Sequence, residues 1–152
     1  MPDRIKSKAS IVLTNNDYMF IIGGEDKGVY QGRNYMYNYV TLEFCERAPM
    51  LDPSVMFGCI YFNGSIYVVG GWKEQYTQKS EVYNIHNDHW AHLPSLNEER
   101  EDVSLCIVKD RYLLAFGSAT ARGRRYKPNK STAALRKQNV DFTFERIDLM
   151  NQ

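Results

Sequence analysis

No apolar run in this 152-residue chain approaches the roughly 20 residues that a membrane-spanning helix needs. Residues 1–6 hold no apolar core of the kind a secretory signal carries. On these two absences the chain is expected to be soluble and cytoplasmic, with no membrane partner. Cysteine is scarce: Cys45, Cys59 and Cys106 are odd in number, and no two stand at metal-motif spacing. That argues against a disulfide framework and for a reducing compartment. Cys59 and Cys106 read as small buried hydrophobes. Histidine is scarcer in effect, because all three lie between His86 and His92. His86 reads as a turn residue, and His89 and His92 would point to opposite faces of a strand. They are placed at the sheet edge away from the candidate site, and no metal is expected. The net charge of +1 implies neither nucleic acid nor membrane. There is no Gly-x-Ser-x-Gly, no phosphate-binding glycine loop and no Asp-box, so no catalytic residue and no cofactor is expected.

Aromatic residues, by contrast, are plentiful at 13%, with 11 tyrosines, which suits half-buried pleated surfaces. The strongest pattern is a repeat. Ser65-Ile66-Tyr67-Val68-Val69-Gly70-Gly71 is a short apolar run ending on two glycines. Forty-seven residues earlier stands Tyr18-Met19-Phe20-Ile21-Ile22-Gly23-Gly24, and 47 later Tyr112-Leu113-Leu114-Ala115-Phe116-Gly117-Ser118. A period of that length points to an array of stacked units. Within the first unit, strands are expected at 9–14, 18–22, 35–40 and around Phe44, with a turn at Ala48-Pro49. In the second they are expected at 57–62, 65–69, 80–84 and 90–94, and Asn63-Gly64 is a two-residue hairpin signal. In the third they are expected at 104–108, 111–116 and 144–149, with a turn at Lys109-Asp110. No helical period appears. Tyr83 follows Tyr37 by 46 residues and Trp90 follows Phe44 by 46.

A double glycine closing an apolar strand, then a spaced Tyr and Trp, resembles the kelch repeat. The residues that carry the resemblance are Gly23, Gly24, Tyr37 and Phe44, then Gly70, Gly71, Tyr83 and Trp90, with a weaker third copy at Gly117-Ser118. The resemblance implies an all-β fold, a partial β-propeller of about three four-stranded antiparallel blades. Their expected spans are residues 1–48, 49–95 and 96–152, the last incomplete and carrying a basic insertion at 119–139. Neighbouring blades would cover each other's faces, with Tyr and Trp in the wedge. The third copy's Trp would fall at position 154. Both terminal sheets are therefore expected to expose apolar faces, as Ile11, Val12 and Leu13 already hint. Self-association, or a longer chain, is expected to complete the ring.

The resemblance also implies a non-catalytic scaffold or adaptor that binds another protein. In an antiparallel meander, loops alternate between the two edges of a sheet. Loops between second and third strands share one face with the links between units. On that face Tyr30, Arg33, Trp72 and Tyr76 are candidate contacts, because Tyr, Trp and Arg dominate interface hot spots. Arg124, Arg125 and Tyr126 join them from the insertion. Arg122, Arg124, Arg125, Lys127, Lys130, Arg136 and Lys137 form an acid-free basic run. Residues 119–152 hold 8 Lys/Arg against 3 Asp/Glu, and residues 1–118 hold 11 against 15. Residues 122–137 supply one alternative, polyanion or nucleic-acid binding, although no nucleic-acid fold signature accompanies them. The other alternative is a piece of a propeller enzyme of the galactose oxidase type.

Overall fold

The computed structural model describes residues 7–14, 17–119 and 144–150, and every regular element among them is a β-strand. The first sheet has the order β1-β2-β5-β6, from β1 (Ser10–Leu13), β2 (Tyr18–Ile22), β5 (Asn34–Asn38) and β6 (Glu43–Arg47). The second is the same meander: β7 (Gly58–Phe62), β8 (Ser65–Val69), β11 (Ser80–Asn84) and β12 (His89–His92). The third holds β13 (Arg100–Val108), β14 (Tyr112–Ala119) and β15 (Phe144–Asp148). All pairings are antiparallel. Asn63 and Gly64 both take left-handed φ, 45° and 78°, which gives the tight hairpin their sequence signals.

Strand β8 shows why an unbroken apolar run is needed. Its alternate side chains point to opposite faces, and both faces are covered. Ile66 and Val68 join Phe20, Ile22, Met50, Phe57, Tyr83 and Trp90 in a core between the first and second sheets. Val69 joins Leu96, Val103, Leu113, Ala115 and Ile147 in a core between the second and third, with Tyr67 packed beside it. Cys59 is partly buried against the first of these cores, and burial pushes its thiol up to about 11.

The double glycines make this stacking possible. A Cβ on Gly23 would lie 2.8 Å from the Phe57 ring and 3.1 Å from the Ser54 carbonyl. One on Gly70 would lie 2.6 Å from the Arg100 carbonyl and 3.0 Å from Val103. Ser54 and Arg100, and Phe57 and Val103, are each 46 residues apart. The same device therefore admits the next sheet's entering chain twice. Gly117 differs. It lies inside β14, without a left-handed φ, and pairing runs on to Ala119 opposite Arg100.

A polar clasp fastens the first junction. Tyr83 is fully buried, its ring 5.1 Å from Trp90 and 5.8 Å from Phe20. Burial pushes the Tyr83 phenol up to about 12, so it keeps its proton and donates to Asp88 Oδ1 at 2.7 Å. Arg47 of β6 donates through Nε to the Tyr83 oxygen at 2.9 Å and through Nη2 to the Ile85 carbonyl at 3.0 Å. The Ala48 amide donates to Asp88 at 2.9 Å, and Trp90 Nε1 donates to the Ala48 carbonyl at 2.7 Å. Tyr37 and Phe44, the matching pair of the first sheet, pack at 4.4 Å and remain half-buried. Ile11 and Leu13 on β1 are exposed.

The Ala48 amide, ahead of the Tyr83 hydroxyl, holds the Asp88 carboxyl below its ordinary range. A lowered folded-state pKa adds stability above the ordinary carboxylate range, and that stability is lost as pH falls through the folded value. Asp88→Asn should therefore cost less than about 1 kcal/mol at neutral pH, since the carboxylate is partly exposed and screened. The gap to wild type should close in acid. Urea titrations at several pH values check this, and a constant gap would exclude the ionic contribution.

Several boundaries differ from the sequence expectation. Strand β13 begins at Arg100 rather than 104, because Arg100 and Glu101 pair with Ala119 and Ser118 ahead of an irregularity before Ser104. Strand β14 is correspondingly longer. Strand β5 ends at Asn38, whose carboxamide oxygen accepts from the Val40 and Thr41 amides and turns the chain. Strand β12 ends at His92, before Pro94. Two further hairpins, β3 (Glu25–Asp26) with β4 (Val29–Tyr30) and β9 (Trp72–Lys73) with β10 (Gln75–Tyr76), occupy stretches that read as loops.

Candidate protein-interaction face

The hairpins β3–β4 and β9–β10 leave the same edge of their sheets as the inter-sheet links 48–57 and 93–99. Backbone bonds tie these segments together. The Met50 amide donates to the Gly32 carbonyl at 2.7 Å, and Val55 and Trp72 exchange both backbone bonds, at 3.0 and 2.7 Å. The Leu96 amide donates to the Gln78 carbonyl at 2.8 Å, and the Arg100 amide to the Thr77 carbonyl at 3.2 Å. The result is one braced surface rather than separate loops.

Three of the candidate contact residues meet on it. Trp72 Nε1 donates to the Tyr30 hydroxyl at 3.0 Å, joining the two hairpins. Tyr76 packs edge-on to Trp72, with centroids 4.7 Å apart at 73°. All three are half-buried, so each anchored ring keeps an accessible part. Burial, then the Glu101 carboxylate, raises the Tyr76 phenol above its ordinary value. Arg33 is not part of this group: its Nη1 donates to the Tyr35 hydroxyl at 2.9 Å. Arg124, Arg125 and Tyr126 lie outside the described residues, as does the rest of the basic run at 122–137.

The histidines need a correction. His86 lies in the β11–β12 turn and His89 opens β12 opposite Asn84, but β12 runs back toward the loop-rich edge and ends there at His92, opposite Glu81. Ligand-type atoms of Asp52, Glu81 and His92 lie within 4.8 Å of one another. The carboxylates already have work. Glu81 accepts from the Leu51 amide at 3.1 Å and the Asp52 amide at 2.8 Å, and Asp52 pairs with Lys79 Nζ at 2.5 Å. Burial raises the Glu81 carboxyl above its ordinary value. The group holds the link between the first two sheets against β11. A cavity of about 400 Å³, bordered by Tyr18, Arg47, Tyr61 and His86, opens among the turns at the other edge. None of Tyr30, Arg33, Trp72 and Tyr76 lines it.

Sequence reasoning missed the acidic neighbours of the aromatic group. Glu74 stands in the β9–β10 turn, and Glu98, Glu99, Glu101 and Asp102 run past Tyr76 on the antiparallel segment that bridges Thr77 to Arg100. The signal was present as a Glu-Glu-Arg-Glu-Asp string, but only the bridge places it beside the rings.

A kelch motif matches residues 53–97. The chain is 30% identical over 111 residues to Kelch-like protein 40 of Mus musculus, covering 72% of this chain and 18% of that protein. It is 29% identical over 122 residues to the F-box/kelch-repeat protein SKIP30 of Arabidopsis thaliana, covering 71% and 35%. It is 33% identical over 116 residues to Kelch-like protein terF of Aspergillus terreus, covering 68% and 25%. The solved structure of YjhT superposes with a TM-score of 0.66 over 80% of this chain and 41% of that one, at 18% identity, a likeness of fold alone. Sheets of this meander, stacked face to face, make the chain part of a β-propeller. It carries a kelch motif and is similar in sequence to kelch-repeat proteins. It spans about a third or less of the length of these curated relatives. Among the described residues no helix is long and apolar enough to cross a membrane.

Proposed function

We propose that this chain is a non-catalytic interaction module that binds another protein through its loop-rich face. The observation that carries the reading is the joining of Tyr30, Trp72 and Tyr76 across two hairpins. Such a group offers large, rigid contact area at little entropic cost on binding. The relatives' names, kelch-like and F-box/kelch-repeat proteins, support an adaptor or scaffold. The exposed Ile11 and Leu13 support a second contact, in which another copy or further sheets of a ring cover the first sheet.

Trp72→Ala tests the main reading. The side chain lies outside both buried cores, and the Trp72 backbone bonds to Val55 do not depend on it. Binding to a partner captured by affinity purification should weaken by about 2 kcal/mol, roughly thirtyfold in Kd. The melting temperature should stay within a few degrees of wild type. Undiminished affinity would remove the loop-rich face as the binding surface.

A further inference from the structure

We infer that the loop-rich face selects a basic segment, a stretch of the partner carrying Lys or Arg, and that this selection is made where the acidic strip borders Tyr76. The inference rests on the interaction-module reading and adds the chemistry of the partner. Residues 72–78 and 97–102 hold five carboxylates, Glu74, Glu98, Glu99, Glu101 and Asp102, against Lys73 and Arg100. Arg100 meets Glu98 and does not offset the other four toward solvent. It is 2% exposed and donates inward, through Nη1 to the Gly117 carbonyl at 3.1 Å, while its Nη2 meets Glu98 at 3.4 Å. Glu74, Glu99 and Asp102 are exposed.

Charge and aromatic surface therefore coincide. The backbone bridge between Thr77 and Arg100 sets Glu101 beside Tyr76, and Tyr76 packs on Trp72, which Tyr30 holds. A guanidinium or ammonium group reaching this spot meets carboxylates at its head and the electron-rich faces of the rings along its stem. An acidic segment would meet like charge, which costs affinity and steers encounters away. An uncharged apolar segment would gain the rings and leave the strip unused. The favoured occupant is thus basic, and its capture should weaken with salt.

The test is selection of a displayed library of random 12-residue peptides against the wild-type chain. The same peptides are then measured by fluorescence anisotropy on Glu99→Gln/Glu101→Gln and on Trp72→Ala. Enrichment of Lys and Arg is expected. So is a loss of about tenfold in affinity in the double variant at low salt, shrinking at high salt. Both glutamines keep the shape of the residues they replace, so folding should be unchanged. Peptides enriched in acidic or apolar residues that depend on Trp72 but not on Glu99 and Glu101 would overturn this inference and leave the loop-face reading standing. Peptides indifferent to all three positions would overturn both. A library that yields no binder overturns the inference too, and the loop-face reading is then judged by Trp72→Ala on the captured partner.

Discussion

Trp90→Ala is expected to lower the unfolding free energy by roughly 3–5 kcal/mol, the usual cost of emptying an aromatic core site. The ring is 2% exposed and packs at 5.1 Å on Tyr83, which is itself fully buried. Its loss opens the core between the first and second sheets, among Phe20, Met50, Phe57 and Ile66. The lost bond from Nε1 matters less than the volume, because the Ala48 carbonyl also accepts from Asn34 Nδ2 at 3.3 Å. Small domains hold only about 5–15 kcal/mol in all, so the variant should sit near its unfolding threshold. Chemical denaturation followed by tryptophan fluorescence, with Trp72 as the remaining reporter, measures it. A midpoint equal to wild type would mean that Trp90 does not fill the junction.

What could be read from the sequence was what repeats or alternates. The glycine pairs, β2 and β8 stand out because a core strand must be apolar on both faces and each unit reuses the same solution. The hairpins β3–β4 and β9–β10 did not stand out. They are two-residue strands in polar stretches, held by cross-links such as Val55 with Trp72, and no local pattern records such a partner. Arg47 is a similar case: it stands 36 residues from Tyr83, and one sequence gives no sign that the two meet. The aromatic contact residues were chosen for their type, and the topology brought three of them together. Arg33, equally suitable by type, is taken up by Tyr35. His92 is hard to place from sequence because His86 lies in the turn and His89 beside it at the start of β12, whereas the strand carries His92 back to the opposite edge.

Gly70→Val is expected to be the most damaging single change at the second junction, on the order of 4 kcal/mol from backbone strain and overpacking together. Gly70 has φ +69°, a region that a β-branched side chain strongly disfavours. The added Cβ would lie 2.6 Å from the Arg100 carbonyl, closer than real Cβ atoms come. That carbonyl cannot retreat freely. It accepts the Gly71 amide at 2.7 Å, and the Arg100 amide is bonded to Thr77. Any shift must therefore pull the third sheet's entering strand away from the second. Gly64 provides the control, since its φ of +78° is similar but a Cβ there meets nothing within 4 Å. Gly64→Ala should cost only the left-handed strain, about 1 kcal/mol, and Gly70→Ala clearly more. Urea denaturation of the three variants separates conformation from contact. Equal losses for Gly64→Ala and Gly70→Ala would show that backbone conformation alone is responsible, and that the sheets do not meet as closely at Gly70 as the geometry requires.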